Sequence, residues 1–78
     1  MEILILGTGC KTCHGTEKLF KEVVAENNID ATVELVDDLQ TILGYGLMHP
    51  PGVVIDGKMV HSGSMPSKKE TLKLIKGD

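Results

Sequence analysis

Four consecutive apolar residues, Ile3-Leu4-Ile5-Leu6, end at once in Gly7-Thr8-Gly9. Strand side chains alternate between two faces, so a run that is apolar at every position should be covered on both, as in a central parallel strand. The next segment supplies one such cover. From about Cys13 to Asn27 the spacing turns helical: Leu19, Phe20, Val23 and Val24 form one stripe, with Glu17, Lys18, Lys21, Glu22 and Glu26 mostly outside it. Glu17–Lys21 and Lys18–Glu22 are opposite-charge pairs at helical spacing, and Asn27-Asn28 can form a left-handed stop.

The second half alternates strand and helix signals. Ala31 to Val36 has Ala31, Val33 and Leu35 on one face and reads as a strand. Asp37 or Asp38 can cap a short helix carrying Leu39, Ile42 and Leu43, ended by Gly44 or Gly46. His49-Pro50-Pro51-Gly52 interrupts regular structure. Val53-Val54-Ile55 and Lys58-Met59-Val60-His61 flank Asp56-Gly57, a type I′ hairpin signal. After a Ser62–Pro66 loop, Ser67 and Glu70 stand at capping-box spacing before a helix with Leu72, Leu74 and Ile75. The order is β-α-β-α-β-β-α, which predicts a four-stranded mixed α/β sheet with helices on both faces. The 78 residues form a single domain over 1–78.

Composition narrows the function classes. Apolar residues are 41% and charged residues 24%, too apolar for disorder. A net charge of −3 argues against nucleic acid or an anionic membrane as the main partner. No signal-peptide pattern or apolar span is visible, so a cytoplasmic location is expected.

The two cysteines fall together as Cys10-Lys11-Thr12-Cys13. A disulfide closing so short a loop stabilises by only about 1.9 kcal/mol in the chain-entropy model. Chemistry is therefore the better explanation than scaffolding. The pair opens the first helix, where unpaired N–H groups and the macrodipole favour a thiolate, and Lys11 adds positive charge. Cys10 at the entry suits attack on a substrate disulfide. Cys13, one turn on and less accessible, suits resolution of the mixed disulfide.

Other chemistries compete. Cys10, Cys13 and His14 could bind a soft metal such as Cu(I), Zn or Hg, and the Gly-Thr-Gly-Cys-x-x-Cys string looks like a copper-chaperone loop. Those domains run β-α-β-β-α-β, however, and a closed zinc site wants four ligands. C-x-x-C-H, completed by His14, is also the haem c string, but the chain has one Phe and one Tyr to wrap a porphyrin. The Gly7-Thr8-Gly9 loop has Thr12 at the third glycine of a dinucleotide motif. Two buried thiols acting as small hydrophobes is the bland reading.

The opening Ile3 to Cys13, with Met48 to Gly57 and Gly63 to Ser67, resembles the thioredoxin-like superfamily. It is most similar to the small redox-active disulfide proteins of archaea and anaerobes. The resemblance spans essentially the whole chain and implies a thioredoxin fold and a thiol–disulfide oxidoreductase. Cys10 matches the attacking cysteine, Cys13 the resolving one, and Pro51 the cis-proline that faces the disulfide. Lys11, Thr12, His49 and Pro50 would surround them, and Met48 and Met65 would floor an apolar groove or fill the core. No cofactor beyond the Cys10–Cys13 disulfide is implied. The implied partners are a thioredoxin-reductase-like enzyme upstream and disulfide-containing proteins downstream, with the chain acting as a monomer.

The departures are specific. Pro50 stands where the family usually carries Thr, which removes one N–H near the substrate. Thr12 precedes the second cysteine in place of Pro. Leu4 occupies the position of the buried acid of many thioredoxins. Ser64-Met65 comes after Gly63 where glutaredoxins carry a glutathione-binding Asp pair, which argues against glutathione as the reductant.

Overall fold

The strand β1 (Glu2–Leu6) runs through the interior of the sheet, parallel to β2 (Thr32–Val36) on one side and antiparallel to β3 (Gly52–Ile55) on the other. The computed structural model describes residues 1–8, 11–47 and 49–77. β4 (Lys58–Ser62) completes a four-stranded sheet in the order β2-β1-β3-β4. The helices are α1 (Lys11–Glu26), α2 (Leu39–Gly44) and α3 (Lys68–Lys76), so the β-α-β-α-β-β-α order is the one observed.

Both faces of β1 are covered, as its unbroken apolar run demands. Ile3 and Ile5 pack with Val53 against Phe20 and Val23 of α1 and Ile75 of α3. Leu4 and Leu6 face the other way, with Val54, Met59, Ile42 of α2 and Leu47. Two thin cores thus share one strand.

The local signals are realised where chemistry was strongest. Asp56 and Gly57 both have positive φ (49° and 85°), as a type I′ turn requires, and glycine takes that geometry without a Cβ penalty. Asp56 also accepts the Glu2 N–H through Oδ1 (2.8 Å) and donates its own N–H to Glu2 O (2.8 Å), fastening the turn to β1. Asn28 is left-handed (φ 51°) after α1, and the Ser67/Glu70 capping box is complete. Glu17 and Lys21 pair at 3.2 Å, whereas Lys18 and Glu22 are not among the ion pairs of the described residues.

Several boundaries move, and β3 begins at Gly52, inside the stretch expected to interrupt regular structure, because Gly52 pairs with Leu6 and Ser62. α1 begins at Lys11, ahead of the Cys13 start read from the apolar stripe, because the first turn needs no apolar face of its own. β2 begins at Thr32, whose N–H donates to Met1 O (3.0 Å), so Ala31 stays outside. β4 runs on to Ser62, which pairs with Gly52. In α2 only Ile42 is buried; Leu39 and Leu43 are 59% and 62% exposed. A helix of six residues presents one narrow stripe, and the buried contact beside Ile42 comes from Leu47, beyond the turn.

Candidate functional site

The sheet register brings several chain segments to one end. Leu6 pairs with Val36 and with Gly52, and Gly52 pairs with Ser62. The residues just beyond, Gly7, Pro51 and Gly63, therefore gather at that edge. Gly7 N–H donates to Val36 O (3.0 Å), and Gly63 N–H donates to Pro51 O (3.0 Å).

The first turn of α1 arrives at the same end, since a short loop joins β1 to α1. Lys11 and Thr12 are exposed, while Cys13 is 0% exposed. Its sulfur sits directly on Gly7: a Cβ built at Gly7 would overlap Cys13 Sγ and lie 2.7 Å from Cys13 Cβ. Only glycine leaves that seat open. Thr16, also buried, donates its hydroxyl to Thr12 O (2.7 Å), which ties down the turn that carries Cys13. No acidic side chain stands in the first turn of α1. The positive end of the dipole there is uncancelled.

The proline loop closes the site. Pro51 is fully buried, and the Pro50–Pro51 peptide bond is cis. Pro50 and His49 are exposed, with His49 close to Gly63: a Cβ there would lie 4.0 Å from His49 Cβ. His14 is solvated, at 4.0 Å from Glu17. Tyr45 packs at the end of α2. Cys10 and Met48 lie outside the described residues. Among the described residues, no group of three or more His, Cys, Asp or Glu side chains is placed to hold a metal ion.

Two close contacts at the site, of Met65 with α1 and of Cys13 with Gly7, are not evident from the sequence. Met65, 45% exposed, lies on α1, its sulfur 3.4 Å from where a Gly15 Cβ would stand. A glycine inside a helix costs up to about 1 kcal/mol against alanine, and that cost is the signal pointing to a close approach. The second is the seat at Gly7, hidden because the close contact spans a loop.

These features define a class: an α/β domain that buries a helix-borne cysteine at the end of its central strand, beside a buried proline. The chain belongs to the thioredoxin domain family, whose model matches residues 1–76, and the fold is the thioredoxin fold. It is 40% identical over 75 residues to a thioredoxin of Methanothermobacter thermautotrophicus, spanning 96% of this chain and 97% of that protein. It is 36% identical over 74 residues to a thioredoxin of Methanocaldococcus jannaschii, spanning 95% of this chain and 85% of that one. At the level of the family, the activity is thiol–disulfide oxidoreduction. Among the described residues, no helix is long and apolar enough to cross a membrane.

Proposed function

We propose that the chain is a cytoplasmic carrier of electrons to protein disulfides, with Cys10 the nucleophile and Cys13 the resolving thiol. The observation that carries the assignment is the complete burial of Cys13 against Gly7, one helical turn beyond Cys10 in sequence. A thiol so enclosed is poorly placed to meet an external disulfide and well placed to meet a sulfur already joined to Cys10.

The reaction takes two exchanges. Cys10, as thiolate, attacks one sulfur of the substrate disulfide, and the other sulfur leaves as a thiolate that takes up a proton. Cys13 then loses its proton and attacks Cys10 Sγ, expelling the second substrate thiol. The substrate gains two electrons and two protons, and the protein ends as the Cys10–Cys13 disulfide. A dithiol reductant or a thioredoxin-reductase-like enzyme returns it to the dithiol. The helix terminus and exposed Lys11 favour the thiolate that starts the cycle. Pro51, with Pro50 and His49 beside it, would line the path of the substrate, and Thr12 lies at the exposed start of α1. The Cys10–Cys13 disulfide is the sole redox group required, and a monomer suffices.

Alkylation of thiols after equilibration in dithiothreitol buffers tests the reading. It should reveal one reversible two-electron couple, and Cys10→Ser should abolish insulin reduction. Absence of the couple, or wild-type activity in Cys10→Ser, contradicts it.

A further inference from the structure

β4 carries an irregularity that re-aims one side chain. Val54 pairs with Met59 but the adjacent β3 residue, Val53, pairs with His61, so Val60 is an extra residue in the ladder. Such a bulge turns the next side chain from the face that strict alternation would give it. Met59 packs on the α2 side of the sheet and Val60 on the α1–α3 side. His61 then lies by α3 as well, in a shallow hollow lined by Glu70, Lys73 and Leu74.

From there its imidazole reaches forward along its own chain. Nε2–H donates to Ser64 O at 2.8 Å, and Ser64 Oγ lies 3.4 Å from the same nitrogen. The loop so held has three other attachments. Gly63 N–H is bonded to Pro51 O, Met65 rests on the bare backbone of Gly15, and Ser67 is locked into the α3 capping box. The loop thus joins the buried proline to the helix that carries Cys13, and it sets Met65 against that helix. His61 provides the attachment made by a side chain of the outer strand.

We propose that His61 is a positioning residue for the reduction of protein disulfides: its imidazole holds the Ser62–Pro66 loop in the shape that presents Met65 beside α1. The inference rests on the oxidoreductase reading. It concerns docking of a polypeptide, which is large enough to span both the cysteine pair and the loop, and a small disulfide serves as its control.

The test measures reduction of insulin and of 5,5′-dithiobis(2-nitrobenzoate) by the wild type, His61→Phe and His61→Gln, with far-UV circular dichroism confirming the fold. Phe keeps the ring and loses the donor, whereas Gln offers an N–H near the place of Nε2. The expected result for His61→Phe is a KM for insulin raised about five-fold, the equivalent of about 1 kcal/mol for one lost hydrogen bond, with kcat and the small-disulfide rate unchanged. His61→Gln should recover most of that loss. An unchanged KM in His61→Phe, an equal loss on both substrates, or no recovery in His61→Gln overturns the proposal. A wild type that reduces neither disulfide overturns the oxidoreductase reading itself. If His61→Phe does not fold, His61→Ala takes its place with the same expected results.

Discussion

Gly7 shows how one residue without a side chain sets the geometry of a thiol. Cys13 can be fully buried at the start of α1 because nothing occupies the space above Gly7, and the Gly7 N–H is itself bonded to Val36. Gly7→Ala forces the methyl into Cys13 Sγ, and neither the strand end nor the helix start is free to retreat. Overpacking of this kind costs about 1–3 kcal/mol, to be read as a lower urea midpoint at unchanged m-value. The same substitution should slow the closing of the disulfide, because the sulfur that resolves is the one displaced. Unaltered stability in Gly7→Ala would show that the seat is looser than its geometry indicates. The sequence marks Gly7 only as the end of a strand; its contact with Cys13 arises from how α1 packs on the end of β1.

At the level of elements, the strongest local chemistry predicted the structure best. The Asp56-Gly57 turn and the Ser67/Glu70 box each depend on residues within four positions of one another, and both are present. The faces of α2 and β4 depend on tertiary partners, on which the local pattern is silent. Of the three apolar residues of α2 only Ile42 is buried, Leu39 and Leu43 being exposed, and the extra residue in β4 has no local signature. Leu43→Gln should therefore change stability by no more than about 0.5 kcal/mol, whereas Ile42→Ala should cost about 2 kcal/mol or more, both from urea midpoints. A large loss in Leu43→Gln would contradict the assigned face.

The α3 cap adds a pH dependence. The Ser67 backbone N–H donates to Glu70 Oε1 (3.1 Å), holding the Glu70 carboxyl below its ordinary value, with smaller help from His61 and Lys73. A lowered value in the folded state means stability that is complete above the ordinary carboxylate range and lost as pH falls through the lowered value. Glu70→Gln, which keeps an acceptor but cannot ionise, should thus differ from wild type by a constant amount near neutrality. The difference should shrink under acid, and thermal midpoints across that range check it. A difference that grows toward low pH would reverse the sign and contradict the cap.

For the molecule as a whole, an apolar run of four residues, sharing its two faces between separate cores, organises everything else. β1 draws α1 and α3 to one side and α2 to the other, and its end brings Gly7, Pro51 and Gly63 to the edge where α1 begins. Fold class and the cysteine pair were legible because they rest on periodicity and on a short motif. The reduced access of Cys13 was legible too, but its seat on Gly7 and the contact of Met65 with Gly15 were not, since they depend on how separate elements pack. The division of labour between the two cysteines is the central claim, and trapping measures it most directly. Cys13→Ser, incubated with a disulfide-containing protein such as insulin, should accumulate a mixed disulfide through Cys10 that dithiothreitol reverses, while Cys10→Ser accumulates none. The opposite pattern, with the adduct forming through Cys13 in Cys10→Ser, would contradict the account.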